Sequence, residues 1–333
     1  MHMKKQLIVT MSLIALGLPS MASAKKGPPP NPVVTTLATF AAPGCSGGCG
    51  SGSTVGPDHA LYVTDGKTGR VLRIDPDTGA TSTFAGGLPT SPAPIGGAMD
   101  VTFVGQTAYV LVTLVGPFFG QPTIVDGIYR IEKDGTGTPI ADIGAWSIAH
   151  PPANTDFFIT SGVQYAIDTF RGGFLVTDGH HNRVLAISRK GEITELKTFG
   201  DIVPTGLAVH GNTIYMGEAG PVPHLPSTGK VVAIRANSGE VTDVASGASL
   251  IVDVELGRGN QLYALSQGPW DWPDDPGNAG LPASPNGGAL LRVNDGSFTA
   301  VVAGLNQPTS LELIGDTAYA VTLTGTVVKI DNV

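Results

Sequence analysis

The chain has 333 residues, 41% of them hydrophobic and only 14% charged, so it can bury a large core and is not a disordered polymer. Its formal net charge is -8 and its Lys and Arg residues form no cluster after the N-terminal leader, which excludes nucleic acid as a partner. The 46 glycines and 26 prolines suit many turns rather than long helices.

Residues 1–24 carry Lys4 and Lys5, an apolar run from Leu7 to Leu18, and the small-residue triplet Ala22-Ser-Ala24. That is the layout of a secretory signal peptide, and it predicts an exported protein, periplasmic or extracellular. No later apolar run approaches the roughly 20 residues of a membrane span, so no span is expected. Residues 25–32, Lys-Lys-Gly-Pro-Pro-Pro-Asn-Pro, read as a stiff Pro-rich linker.

Residues 33–40 then form a lone strand pattern with no hairpin partner beside it. Cys45 and Cys49 are the only cysteines, and an oxidising compartment favours a local disulfide between them. The alternative, a redox motif, does not fit the Cys-Ser-Gly-Gly-Cys spacing. So short a loop would shape a turn more than hold the fold.

From there the chain repeats. Six inner-strand starts stand at Gly52, Asp100, Ala166, Gly206, Asp253 and Ser310, each followed nine or ten residues later by Tyr62, Tyr109, Leu175, Tyr215, Tyr263 or Tyr319. The fourth unit, residues 204–247, shows the pattern in full: four short runs of alternating apolar residues, separated by Gly211-Asn212, a Pro-rich loop and Asn237-Ser-Gly239. The sixth unit ends after its third strand, and residues 33–40 are the strand it lacks. The predicted fold for residues 33–333 is therefore all-β, a six-bladed β-propeller whose ring is closed by the N-terminal strand pairing into the last blade.

Along the inner strands, the first and third positions read Gly52/Thr54, Asp100/Thr102, Ala166/Asp168, Gly206/Ala208, Asp253/Glu255 and Ser310/Glu312. A period of two turns these positions toward the channel. Five acids with no basic residue among them cannot sit dry and unpaired. Either water hydrates Asp100, Asp168, Asp253, Glu255 and Glu312, or a hard cation such as calcium or magnesium binds there.

Three long connections between second and third strands, residues 113–126, 219–229 and 266–288, should crown one opening of the channel. They bring Phe118, Phe119, His224, Trp270 and Trp272 to that face as candidate walls of a ligand pocket; the other reading is that they merely pack over the mouth. Asp65, Asp178 and Glu218 end second strands on the same rim, and Asp178 and Glu218 are further candidates for ligand contact. His180 and His181 lie in a short loop there. No nucleophile elbow, zinc-protease helix or phosphate loop is present, and no organic cofactor is expected.

The stretches Gly173-Phe-Leu-Val-Thr-Asp178, Val203-Pro-Thr-Gly-Leu-Ala208, Ile214-Tyr-Met-Gly-Glu218 and Gly288-Ala-Leu-Leu-Arg-Val293 resemble the ScyD/ScyE family of exported propellers, related to NHL-repeat proteins and of the NHL/TolB-like kind. The resemblance implies an exported propeller with an accessory or small-molecule-binding role in pigment or other secondary-metabolite maturation, since the named members are associated with making scytonemin. The chain departs from it in the first blade, where Cys49-Gly-Ser-Gly52 replaces the usual Pro-x-Gly lead-in. Gluconolactonase-like lactonases place a metal-binding Glu where this chain has Gly52 and Thr54, and streptogramin lyases share the repeat style with seven blades. Two alternatives stand beside small-molecule binding: a metal-dependent hydrolase of lactones or esters, and a platform for a protein partner.

Overall fold

Each repeat folds as a four-stranded antiparallel sheet, and six such sheets make the ring. The computed structural model describes residues 31–333 except 42, 43, 46, 154–158, 273–277 and 279. The signal-peptide segment and most of the Pro-rich linker lie outside the described residues.

From the channel outward, the first blade comprises β2 (Ser53–Val55), β3 (Leu61–Asp65), β4 (Arg70–Ile74) and β5 (Thr81–Ala85). The second comprises β6 (Gly97–Val104), β7 (Thr107–Thr113), β8 (Gly127–Ile131) and β9 (Gly137–Asp142), and the third β10 (Gln164–Phe170), β11 (Gly173–Asp178), β12 (Arg183–Ile187) and β13 (Ile193–Thr198). The fourth holds β14 (Pro204–His210), β15 (Thr213–Glu218), β16 (Lys230–Arg235) and β17 (Glu240–Ser246). The fifth holds β18 (Ile251–Leu256), β19 (Leu262–Ser266), β20 (Gly288–Asn294) and β21 (Ser297–Leu305). The sixth is β22 (Pro308–Ile314), β23 (Thr317–Thr322), β24 (Thr326–Asp331) and, outermost, β1 (Val33–Thr39).

The repeat spacing is the hairpin register itself. Thr54, Thr102, Asp168, Ala208, Glu255 and Glu312 stand opposite Tyr62, Tyr109, Leu175, Tyr215, Tyr263 and Tyr319. Two-residue loops set that register in the second, third, fourth and sixth blades and five-residue loops in the first and fifth: in the fourth, His210 pairs with Thr213, and Gly211 between them takes φ 60, which glycine adopts at no steric cost. The closure predicted from the unpaired sixth blade is present, with Val33 opposite Asp331 and Thr39 opposite Thr326.

The core lies between blades rather than under them. Leu61, Val63, Leu72 and Ile74 of the first blade pack on Tyr319, Val321 and Val327 of the sixth, with Ala38 of β1 joining from the closing strand. Second strands have a blade on both faces, which is why β3 is buried at every residue and reads as nearly continuous apolar sequence.

Two local features differ from a plain repeat. In the first blade the inner strand is only three residues long, which fits the loss of the Pro-x-Gly lead-in. A short helix, α1 (Ile143–Ala149), links the second and third blades, its N-terminus capped by the Asp142 carboxylate accepting the Ala145 N–H at 2.8 Å. Its seven residues carry no amphipathic period long enough to be read from sequence. Cys45 and Cys49 are joined as a disulfide. Among the described residues no helix is long and apolar enough to cross a membrane.

Candidate functional site

The loops leading into inner strands and the long loops between second and third strands meet on one face. Val203 and Leu250 from the former pack with Ala219, Trp270 and Ala283 from the latter in a single apolar cluster. Beneath it a cavity of about 170 Å³ runs into the channel, with Tyr165, His180, His224, Leu250 and Leu281 near its mouth and the inner-strand acids along its depth.

All five channel acids line this cavity, and no Lys or Arg does. Asp100, Asp168, Glu255 and Glu312 are half-buried, while Asp253 is buried. Their carboxyls follow a rule that the sequence does not display. An acid at the first inner-strand position accepts the backbone N–H of the second position in the next blade: Asp100 from Ile167 at 2.8 Å, and Asp253 from Leu311 at 2.7 Å. Asp168, at the third position, takes the fourth-position N–H of Val209 at 3.0 Å, and Glu312 likewise bonds the amide of Val55, joining the sixth blade to the first. The other oxygens of Asp100, Asp168 and Asp253 take the N–H of the next residue in their own strand, at 2.8, 2.6 and 2.8 Å. These acids tie neighbouring blades together around the channel.

Glu255 is the exception. It takes only the N–H of Leu256, at 3.3 Å, and reaches no neighbouring blade. With Glu312, which bonds the single amide of Val55, it therefore keeps an oxygen to spare.

Burial governs protonation here. It raises Asp168 to about 6 and Asp253 to about 7, against the backbone hydrogen bonds that favour the charged form. Asp100, Glu255 and Glu312 are pushed well above the ordinary carboxylate range, first by burial and then, for Glu255, by Glu312, and for Glu312, by Asp253. Burial and the acids' mutual repulsion both disfavour the charged forms around the ring. Among the described residues no three His, Cys, Asp or Glu side chains come together as a metal-holding group; of the acids that the sequence offers to calcium or magnesium, Asp100, Asp168 and Asp253 turn both oxygens to amides, while Glu255 and Glu312 turn one each.

Two imidazoles overlook the acids. The His224 Nδ1 lies 2.7 Å from the Gly220 carbonyl, so it carries the hydrogen and leaves Nε2 as an acceptor. The Trp270 ring packs edge-on against that imidazole, 5.8 Å between centroids, and the Trp270 Nε1 donates to the Leu281 carbonyl at 3.0 Å. Burial lowers His224 and takes His180 down to about 4, so both are neutral at physiological pH. The His180 Nε2 lies 3.0 Å from the Tyr165 hydroxyl.

The remaining sequence candidates lie away from the cavity. Trp270 is a buried support behind His224, whereas Trp272 is 44% exposed and donates to the Pro282 carbonyl at 2.8 Å. Phe118 and Phe119 form an edge-to-face pair on the outside of their loop, Phe118 being more than half exposed, and that loop does not reach the cavity. Asp178 is sealed inside the protein: its Oδ2 takes the Arg183 Nε at 3.0 Å, and its Oδ1 takes the N–H of Val163 at 3.2 Å. Glu218 is buried behind the cavity wall, raised to about 7 by burial, and Lys230 opposite it gives its ammonium to Asp243 at 2.9 Å.

Arg183 is the residue that sequence reasoning passed over. It is 1% exposed, caps Asp178, donates to the Ser147 hydroxyl at 3.0 Å, and lies over the Trp146 ring at 4.8 Å. A signal existed: Asp65 and Arg70 of the first blade stand at the same strand positions and pair at 2.8 Å.

Compared with protein families and with curated proteins, the sequence finds no match. Solved structures do match in fold. A gluconolactonase from Xanthomonas campestris superposes with a TM-score of 0.59 at 12% identity, covering 92% of this chain and 95% of that one. This is the six-bladed β-propeller fold. A virginiamycin B lyase from Staphylococcus aureus, solved as an inactive variant with quinupristin, gives 0.52 at 14% identity over 91% of this chain and 100% of the other. A chain of a nidogen/laminin complex gives 0.53 at 13% identity, over 79% and 84%. The propeller fold is thus shared with a lactonase, a lyase and a protein-binding assembly, and it does not choose among them.

Proposed function

We propose that this chain is an exported, ScyD/ScyE-like propeller that binds a small organic molecule in the cavity of its crowned face, as an accessory to the maturation of a pigment or other secondary metabolite. The carrying observation is the cavity itself: apolar Leu250 and Leu281 share its wall with the polar tips of Tyr165, His180 and His224, the mixture typical of small-molecule sites. The sequence likeness in the third, fourth and fifth blades supports the family reading. The quinupristin-bound lyase shows that a related propeller takes a small molecule.

Catalysis by a bound metal has less behind it. Asp100, Asp168 and Asp253 spend both oxygens on backbone amides, and no ligand cluster is assembled among the described residues. The test is calorimetric titration of the purified protein against indole-phenols, aryl amines, lactones and sugars, with turnover followed in parallel. Saturable binding without turnover, unchanged by chelator, is the expected result. Lactone turnover lost on chelation would replace this reading by the hydrolase, and binding of no compound in the panel would leave the protein-platform reading in its place.

A further inference from the structure

Resting on the small-molecule reading, we infer that the ligand is an organic amine, its ammonium held by the carboxyls of the channel and a hydrogen-bond donor at its other end received by the His224 Nε2. Two independent observations meet here. The channel end of the cavity presents Asp100, Asp168, Asp253, Glu255 and Glu312 and no Lys or Arg, a lining with no cationic partner for an anion and with carboxyls that can pair with an ammonium. At the mouth, His224 is only 6% exposed, its Nδ1 is fixed on the Gly220 carbonyl, and among the described residues its Nε2 has no hydrogen-bond partner. An acceptor turned to a cavity gains from a ligand donor that takes the place of water there.

The carboxyls that take the ammonium are the neighbouring pair Glu255 and Glu312. Asp100, Asp168 and Asp253 each spend both oxygens on backbone N–H groups. Glu255 spends one, on its own strand, and Glu312 one, on the Val55 amide, and the two face each other across the boundary between the fifth and sixth blades. Between the two ends, Leu250, Leu281 and Val203 offer an apolar wall for a ring or short alkyl body.

Binding an ammonium shifts a proton. The titratable groups that line the cavity are the five acids, Tyr165, His180 and His224, and in the free protein the acids share protons because burial and mutual repulsion disfavour their charged forms. An ammonium beside Glu255 and Glu312 favours the carboxylate, so a carboxylic acid gives its proton to the buffer as the amine enters. Uptake of the amine and release of a proton are one event.

Four probes of one shape separate the possibilities: tyramine, phenethylamine, tyrosol and 3-(4-hydroxyphenyl)propanoate, titrated calorimetrically at pH 7 in buffers of different ionisation heat. Tyramine should bind tighter than tyrosol by roughly tenfold or more, as a charge-assisted hydrogen bond requires, with the propanoate undetectable. The heat should vary with buffer in the sense of proton release. Glu255→Gln should erase most of the preference for tyramine over tyrosol, and His224→Leu should erase the preference for tyramine over phenethylamine while leaving the amine requirement. Tyrosol or the propanoate binding as tightly as tyramine overturns the amine assignment and leaves small-molecule binding standing. If none of the four binds, the amine assignment falls, and the broader panel then decides whether the small-molecule reading falls with it.

Discussion

Asp253 of the fifth blade accepts the Leu311 N–H of the sixth at 2.7 Å, while its other oxygen takes the Val254 N–H of its own strand at 2.8 Å. Read only as one of five like charges, Asp253 should be removable without loss. Its hydrogen bonds predict the reverse. Asp253→Asn offers one acceptor where two backbone donors converge, leaving one buried N–H unpaired at about 1–3 kcal/mol. Chemical denaturation at pH 8, where the carboxyl is ionised and both oxygens accept, should show that loss; an unchanged midpoint would sink the blade-tie account.

Stability should fall as pH rises from 6.5 to 8; below that window the buried His180 and His224, lowered from 6.5, gain stability with rising pH and oppose the acids. In the unfolded chain Asp168 and Asp253 ionise near 3.8, but in the fold burial holds them protonated to about 6 and about 7. The folded chain therefore binds more protons across that window, and stability present below it is lost as pH climbs through the folded values. A Tm series should slope downward, and less steeply for Asp253→Asn. A Tm that climbs over the same range contradicts the protonated ring.

Gly206 makes room for Asp253. A Cβ built on Gly206 would fall against the Asp253 carboxyl and 2.5 Å from its Cα, with backbone that cannot yield. Gly206→Ala should therefore cost about 1–3 kcal/mol or prevent folding, as overpacking does. Gly200→Ala, at a glycine with open space around it, is the control and should leave Tm unchanged.

Trp270 and Trp272 should part company. Trp270→Ala removes a buried ring from the cluster behind His224 and should cost about 3–5 kcal/mol, with weaker ligand binding as a consequence. Trp272→Ala should leave both Tm and binding closer to the parent, because its ring is 44% exposed and does not line the cavity. Equal effects from the two variants would contradict this division.

Removing residues 31–41 should expose the β24 edge along residues 326–331. A row of unpaired strand N–H and C=O groups invites pairing with another chain, so the truncated protein should melt lower and associate with rising concentration, as read by light scattering. Because most of β1 is solvent-facing, the larger effect should be on association. A truncated protein that stays monomeric at the parent's Tm would remove the closure argument.

The sequence by itself determined the blade count, the hairpin registers and the closing strand. All three rest on local periodicity: side chains alternate along a strand, short loops set pairing, and Tyr62, Tyr109, Tyr215, Tyr263 and Tyr319 recur opposite the third inner-strand position. It also placed the five acids on the channel side. What those acids do was decided only by tertiary structure, because the N–H that meets Asp100 belongs to Ile167, in the next blade and 67 residues along the chain. The same holds for the walls of the cavity. Tryptophan in a long loop reads alike whether it backs a histidine, as Trp270 does, or faces water, as Trp272 does, and only the packing of the second-to-third loops on the inner-strand lead-ins separates the two.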